Sequence, residues 1–140
     1  MRFDLGKIKI ANIDAGRRKI VHIIQQSGAN VLEVIPINEG RYYLIKTDQI
    51  NYLFAYKREF FFTFGTRFKD LGETGVGDSF NRQDIKNACA HDVRMIFSVY
   101  ENGHVYSISM QNFLQSSHLW QNSEGKEILS TSIKNLTRID

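Results

Sequence analysis

Asn51-Tyr52-Leu53-Phe54-Ala55-Tyr56-Lys57-Arg58-Glu59 is the stretch on which the fold turns. It is rich in aromatic residues, which suit a pleated, half-buried surface. At a period of two, Tyr52, Phe54, Tyr56 and Arg58 take one face, and Leu53, Ala55, Lys57 and Glu59 take the other. The first face is aromatic up to its charged end. The second is small and apolar until Lys57 and Glu59, which would project about 7 Å apart. The pattern predicts a central strand that leaves the core at a charged end.

Two more strands are expected just before it. Asn30 to Ile37 carries Val31, Leu32, Val34 and Ile35, with Pro36 expected to end it. Asn38-Glu39-Gly40 is a turn signal, Arg41 to Thr47 a second strand, and Asp48-Gln49 a second turn before Ile50. Connections this short favour an antiparallel meander. Ahead of the meander, Ile13, Arg17, Ile20, Val21 and Ile24 fall at helical spacing. The helix should run from Ile13 to Gln26, capped by Asn12 or Asp14 and stopped at Gly28. Arg17-Arg18-Lys19 lies mostly off its apolar stripe and reads as a solvated face. Phe3 to Ile10 suggests a short first strand or hairpin.

Beyond the meander, Phe60-Phe61-Phe62-Thr63-Phe64 needs a bend, a second apolar layer or a partner to cover it. Asp70 to Asp78 reads as a glycine-rich flexible loop without the ending of a phosphate loop. Ser79 or Asn81 should begin a second helix, with Asp84 in its first turn and Ile85, Ala88 and Cys89 on its apolar stripe. Val93 to Tyr100 is a strong strand, and Asn102-Gly103 predicts a two-residue hairpin returning along His104 to Ile108. Ser109 should cap a short helix bearing Met110, Phe113 and Leu114. Ser116 to Lys126 reads as polar loop, and Ile128 to Ile133 as a last, edge-like strand. The expectation is an α+β domain over residues 1–140: a mixed, largely antiparallel sheet of five or more strands flanked by two or three helices. Phe54, Ile96 and Val105 should be buried in it.

The 140 residues suit one domain, large enough to build a core without staples. At 42% apolar and 24% charged the chain is globular in composition. A net charge of +3 permits a polyanionic partner without demanding one. The single cysteine, Cys89, excludes an internal disulfide and reads as a small core residue. No apolar run reaches the length of a membrane span, and the N-terminus does not resemble a signal peptide, so a cytoplasmic protein is expected. His22, His91, His104 and His118 lack metal-ligand spacing, and the chain has no hydrolase nucleophile elbow and no dinucleotide-binding glycine pattern.

The order helix, three-strand meander, helix, strand, with Lys57 ending the third strand, resembles the core of the restriction-endonuclease-like nucleases. The likeness extends to their Holliday-junction-resolvase branch and spans about Asn12 to Phe113. Ala55-Tyr56-Lys57 stands where that family has Glu/Asp-x-Lys. Lys57 matches and Ala55 does not. The resemblance implies Mg²⁺ held by carboxylates, activating water for phosphodiester cleavage. It would make Lys57 and Glu59 catalytic, with Glu59 replacing the missing acid and Glu39, Asp48 and Glu59 as metal ligands. The backbone carbonyl of Tyr56 would remain as a ligand. Arg41, Lys46, Arg58, Arg67 and Lys69 would contact nucleic-acid phosphates. A catalytically inactive relative acting as a binding module is a second reading. A third, of another class, is a dimerising or ligand-sensing module of the PAS or roadblock kind, with a second copy of the chain as partner.

Overall fold

The computed structural model describes residues 13–57, 76–100 and 103–139. Helix α1 is Ile13–Gln26, followed by β1 Val31–Ile37, β2 Tyr42–Thr47 and β3 Asn51–Lys57. Then come β4 Val76–Asn81, α2 Arg82–Ala90, β5 Val93–Tyr100, β6 Val105–Ser109 and α3 Met110–Ser116. The chain closes with β7 His118–Gln121, β8 Glu127–Ser132, a 3-10 turn Ile133–Asn135 and β9 Thr137–Arg138. Six strands form a main sheet in the order β1-β2-β3-β5-β6-β9. In it β3 and β5 run parallel and the other pairs are antiparallel. A parallel pair needs a crossover, and α2 lies within it. The remaining strands make an antiparallel sheet, β4-β8-β7. This is the expected α+β class.

The alternation of β3 divides the core. Tyr52 and Phe54 lie on the α1 side, with Ile20, Ile24, Val99 and Val105. Leu53 and Ala55 lie on the other side with Leu44, Ile96, Phe80 and Phe113, under α2, α3 and the second sheet. Phe54, Ile96 and Val105 are each 0% exposed, as expected. Helix α1 ends at Gly28, whose φ of 101° is ready for glycine alone. Its basic cluster is not simply solvated. Arg17 stands 5.2 Å over the Tyr43 ring, and Lys19 Nζ donates to the Gly103 carbonyl at 2.8 Å. Both side chains tie the helix to the sheet through their charged ends while their stems cover apolar surface.

Several expectations need correction. Pro36 does not end β1: it pairs with Tyr43 inside it. The sheet order makes β1 an edge strand, where a missing N–H goes unnoticed. Val76 to Asp78 belong to β4 rather than to a loop, because β8 supplies their ladder. Ser79 is inside β4, and Asn81 is the cap, accepting the Gln83 N–H at 3.0 Å. Strands β5 and β6 are joined by four residues, 101–104, and Asn102 of the expected two-residue turn lies outside the described residues. Tyr100 N–H donates to the His104 carbonyl at 2.9 Å, and Gly103, at φ 96°, donates back to Tyr100 at 2.8 Å. Cys89 is exposed; Ile85 and Ala88 carry the buried stripe of α2. Ser116 to Lys126 is no open loop. The Asn122 side chain accepts the N–H groups of Glu124 and Lys126 at 2.9 and 3.0 Å, folding a tight turn that lets β7 pair with β8. Strand β8 is then central in its sheet, and the two-residue β9 is the second edge strand of the main one. The phenylalanine run 60–64 lies outside the described residues, as does the stretch from Phe3 to Ile10. Among the described residues no helix is long and apolar enough to cross a membrane.

The second sheet also has two faces. Phe80 and Leu129 are register partners and turn inward; Phe80 meets Tyr42 at 5.3 Å and Phe113 at 5.6 Å. Ser79 pairs with Ser130 and Asn81 with Ile128, which in turn pairs with Trp120, so these residues share the opposite, outward face.

Candidate functional site

Ala55 sits in a row of register partners that crosses the main sheet: Tyr42, Ala55, Ser98 and Tyr106. One step further along β3, Lys57 pairs with Tyr100. Partners in register present their side chains to one face, and the row through Ala55 faces the second sheet. Asp78 comes down onto this row from β4. Its Oδ1 accepts the Ser98 hydroxyl at 2.7 Å, and Asp78, Ser98 and Ala55 are each 1% exposed. A carboxylate from another strand therefore lies beside the position where β3 carries none. Burial pushes the Tyr100 hydroxyl far above its usual range, with the Asp78 charge and then Tyr106 adding to the effect. Burial also raises Tyr42, helped by the charge of Asp84, while Arg41 acts in the opposite direction. Both shifts favour the protonated phenol.

Among the described residues, which do not include Glu59, this donor set falls short of what Mg²⁺ needs. The ion needs near-octahedral oxygens and usually keeps several waters. Around Ala55 the described residues supply one enclosed carboxylate, already engaged by Ser98, and the phenols of Tyr42, Tyr100 and Tyr106. Asp84, 7% exposed, is engaged separately, its Oδ2 accepting the Asn38 amide at 3.0 Å. Among the described residues no group of three or more His, Cys, Asp or Glu could hold a metal ion.

Two of the acids named from the sequence, Glu39 and Asp48, fall apart. Glu39 lies on the β1–β2 turn, at the end of the sheet where β3 reaches Lys57, and it is exposed. Asp48 lies beyond the opposite end of β2. There the backbone N–H of Asn30, at 2.9 Å, and its side-chain amide, at 2.8 Å, bind the carboxylate and hold its pKa below the usual value. Asp48 is thus a brace between the start of β1 and the β2–β3 turn. Arg41 and Lys46 stand toward opposite ends of β2. The backbone of Lys57 is placed by its pairing, whereas Arg58, Glu59, Arg67 and Lys69 lie outside the described residues.

Arg41 has a different company. It lines a groove of about 470 Å³ between the β1–β2 turn and the outward face of the second sheet, together with Asn38, Tyr42, Asn81, Trp120 and Lys126. An adjoining hollow, with Asn81 and Lys126 in its wall too, adds Arg82, Lys86 and Glu127. Arg82 pairs with Glu127 at 2.9 Å. Glu124 also lines the groove. Four cations and two carboxylates therefore border two adjoining hollows that share Asn81 and Lys126. Its wall is shaped by three successive left-handed residues, Asn38, Glu39 and Gly40, at φ 55°, 59° and 84°. The Asn38–Asp84 bond fastens that turn to the first turn of α2. Sequence reasoning found Arg41 and missed the rest. Trp120, the one tryptophan, in a short polar stretch, was the available signal. Asp78, between glycine-rich residues and Ser79, gave none.

No protein-family model, no curated protein and no solved structure matches the chain.

Proposed function

We propose that the protein binds nucleic acid through the groove around Arg41 and Lys126, and that it is a non-cleaving relative of the restriction-endonuclease-like nucleases. The kinship is supported by the order of elements: a helix, an antiparallel meander, and a crossover helix leading to a strand parallel to the third. The absence of cleavage is supported by Ala55, enclosed where the family carries a metal-binding acid. Binding is carried by one observation. Arg41 and Lys126 border a groove, and Lys126 with Arg82 and Lys86 borders the hollow next to it, both walled with amide side chains, the residue types that hold phosphates and base edges.

The test is oligonucleotide binding followed by anisotropy across a salt series. About three phosphate contacts from the groove cations should give a log–log slope near −2 for single strands. Arg41→Ala should flatten that slope by about 0.7, and Lys126→Glu should weaken binding further. The same oligonucleotides should stay intact with Mg²⁺ or Mn²⁺, as in EDTA. A flat salt response, or binding indifferent to both substitutions, would overturn the interface. Metal-dependent cleavage would overturn the inactive reading.

A further inference from the structure

We infer that the groove takes a single-stranded segment, with one base stacked on Trp120. This rests on the nucleic-acid reading above and deepens it. Trp120 is 42% exposed on β7, yet its indole N–H is not left to solvent. It donates to Ser130 Oγ at 2.8 Å, and Ser130, 1% exposed, also bonds Ser79 Oγ at 2.6 Å. The polar edge of the ring is thus satisfied inside the sheet, and this bond fixes its orientation. Ring surface remains exposed at the groove as an apolar platform without a donor to hydrate. Ile128, its register partner, lines the same groove.

Phosphate-binding cations and an aromatic platform in one groove are the two parts that a single strand needs. Arg41 and Lys126 supply the first and Trp120 the second. A duplex keeps its base faces stacked inside, so a ring at a groove wall reaches them only by unstacking a step, at a cost of a few kcal/mol. A single strand offers a base face freely. The fixed ring also loses little side-chain freedom on binding, which favours the stacked state further.

Trp120 is the chain's sole tryptophan, so its fluorescence reports on this ring alone. Three ligands are titrated at one salt concentration: a single strand, the duplex of the same sequence, and an abasic single strand with the same number of phosphates. The single strand should quench Trp120 saturably and bind roughly tenfold tighter than the abasic strand, as loss of one stacked base implies. Labelled-strand anisotropy with Trp120→Ala should show the same tenfold loss for the normal strand and none for the abasic one. The salt slope should be unchanged, and Trp120→Phe should recover part of the loss. An unaltered circular dichroism spectrum checks that each variant is folded. Equal affinity for normal and abasic strands, or duplex binding as tight as single-strand binding, overturns the stacking inference and leaves the electrostatic interface standing. No binding of any of the three ligands overturns the nucleic-acid reading itself, and this inference with it.

Discussion

Ala55→Glu restores the acid that the nuclease motif carries, and the structure predicts that it unfolds the protein instead of activating it. Ala55 is 1% exposed, held between Tyr42 and Ser98 with Asp78 bonded to Ser98. The larger side chain meets a filled site, which costs about 1–3 kcal/mol. Its carboxyl also loses water and lies near the Asp78 carboxylate, and both effects raise its pKa. A group with a raised folded pKa leaves the protein least disturbed below its unfolded value, about 4.3 for glutamate. Above that value the unfolded chain releases the proton and the folded one does not. Stability then falls by about 1.4 kcal/mol per pH unit until the folded pKa is reached. A glutamate still neutral at pH 7 contributes nearly 4 kcal/mol of this loss. With the packing term the total is about 5 kcal/mol, comparable with the whole stability of a small domain. Urea denaturation of wild type and variant at pH 4, 5.5 and 7 measures it. The gap should be smallest at pH 4 and widen with pH. A gap below about 1 kcal/mol at pH 7, well short of the packing loss alone, would refute the reasoning, the more so if it did not change with pH.

Phe54→Ala should cost about 3–5 kcal/mol in equilibrium denaturation, since Phe54 is 0% exposed between β3 and α1; a loss below about 1 kcal/mol would remove it from the core. Glu39→Gly should stabilise the protein by about 1 kcal/mol, because Glu39 is exposed and held at φ 59°, where a side chain is strained and glycine is not; a lower melting temperature would mean that the carboxylate has a role of its own. Asp48→Asn should destabilise near neutral pH, and the difference should vanish as pH falls. The Asp48 pKa is depressed by Asn30, so its stabilisation is present above the unfolded value, about 3.9, and lost below the folded one; a constant difference down to pH 2 would rule out the carboxylate as its source.

Periodicity alone determined α1, the meander and β5, because each buries a stripe that its own residues define. Ile20 and Ile24 repeat at one helical turn, and Leu53 and Ala55 alternate with Tyr52 and Phe54. Asn81 and Ser109 were legible as caps because a cap is local chemistry: each side chain accepts an N–H two or three residues on. The second sheet was not legible. Strands β4 and β7 are short and polar: β4 becomes a strand only because the distant β8 pairs with it, and β7 because the Asn122 turn lays it along β8. A ladder is a contact between distant segments, and propensity carries no record of it. The same holds for the groove. Arg41 lies far in sequence from Trp120 and Lys126, and they form one wall because the second sheet folds against the end of the first. Asp78 likewise gained its place beside Ala55 from the pairing of β4, and no local signal marks which residue a buried carboxylate will meet.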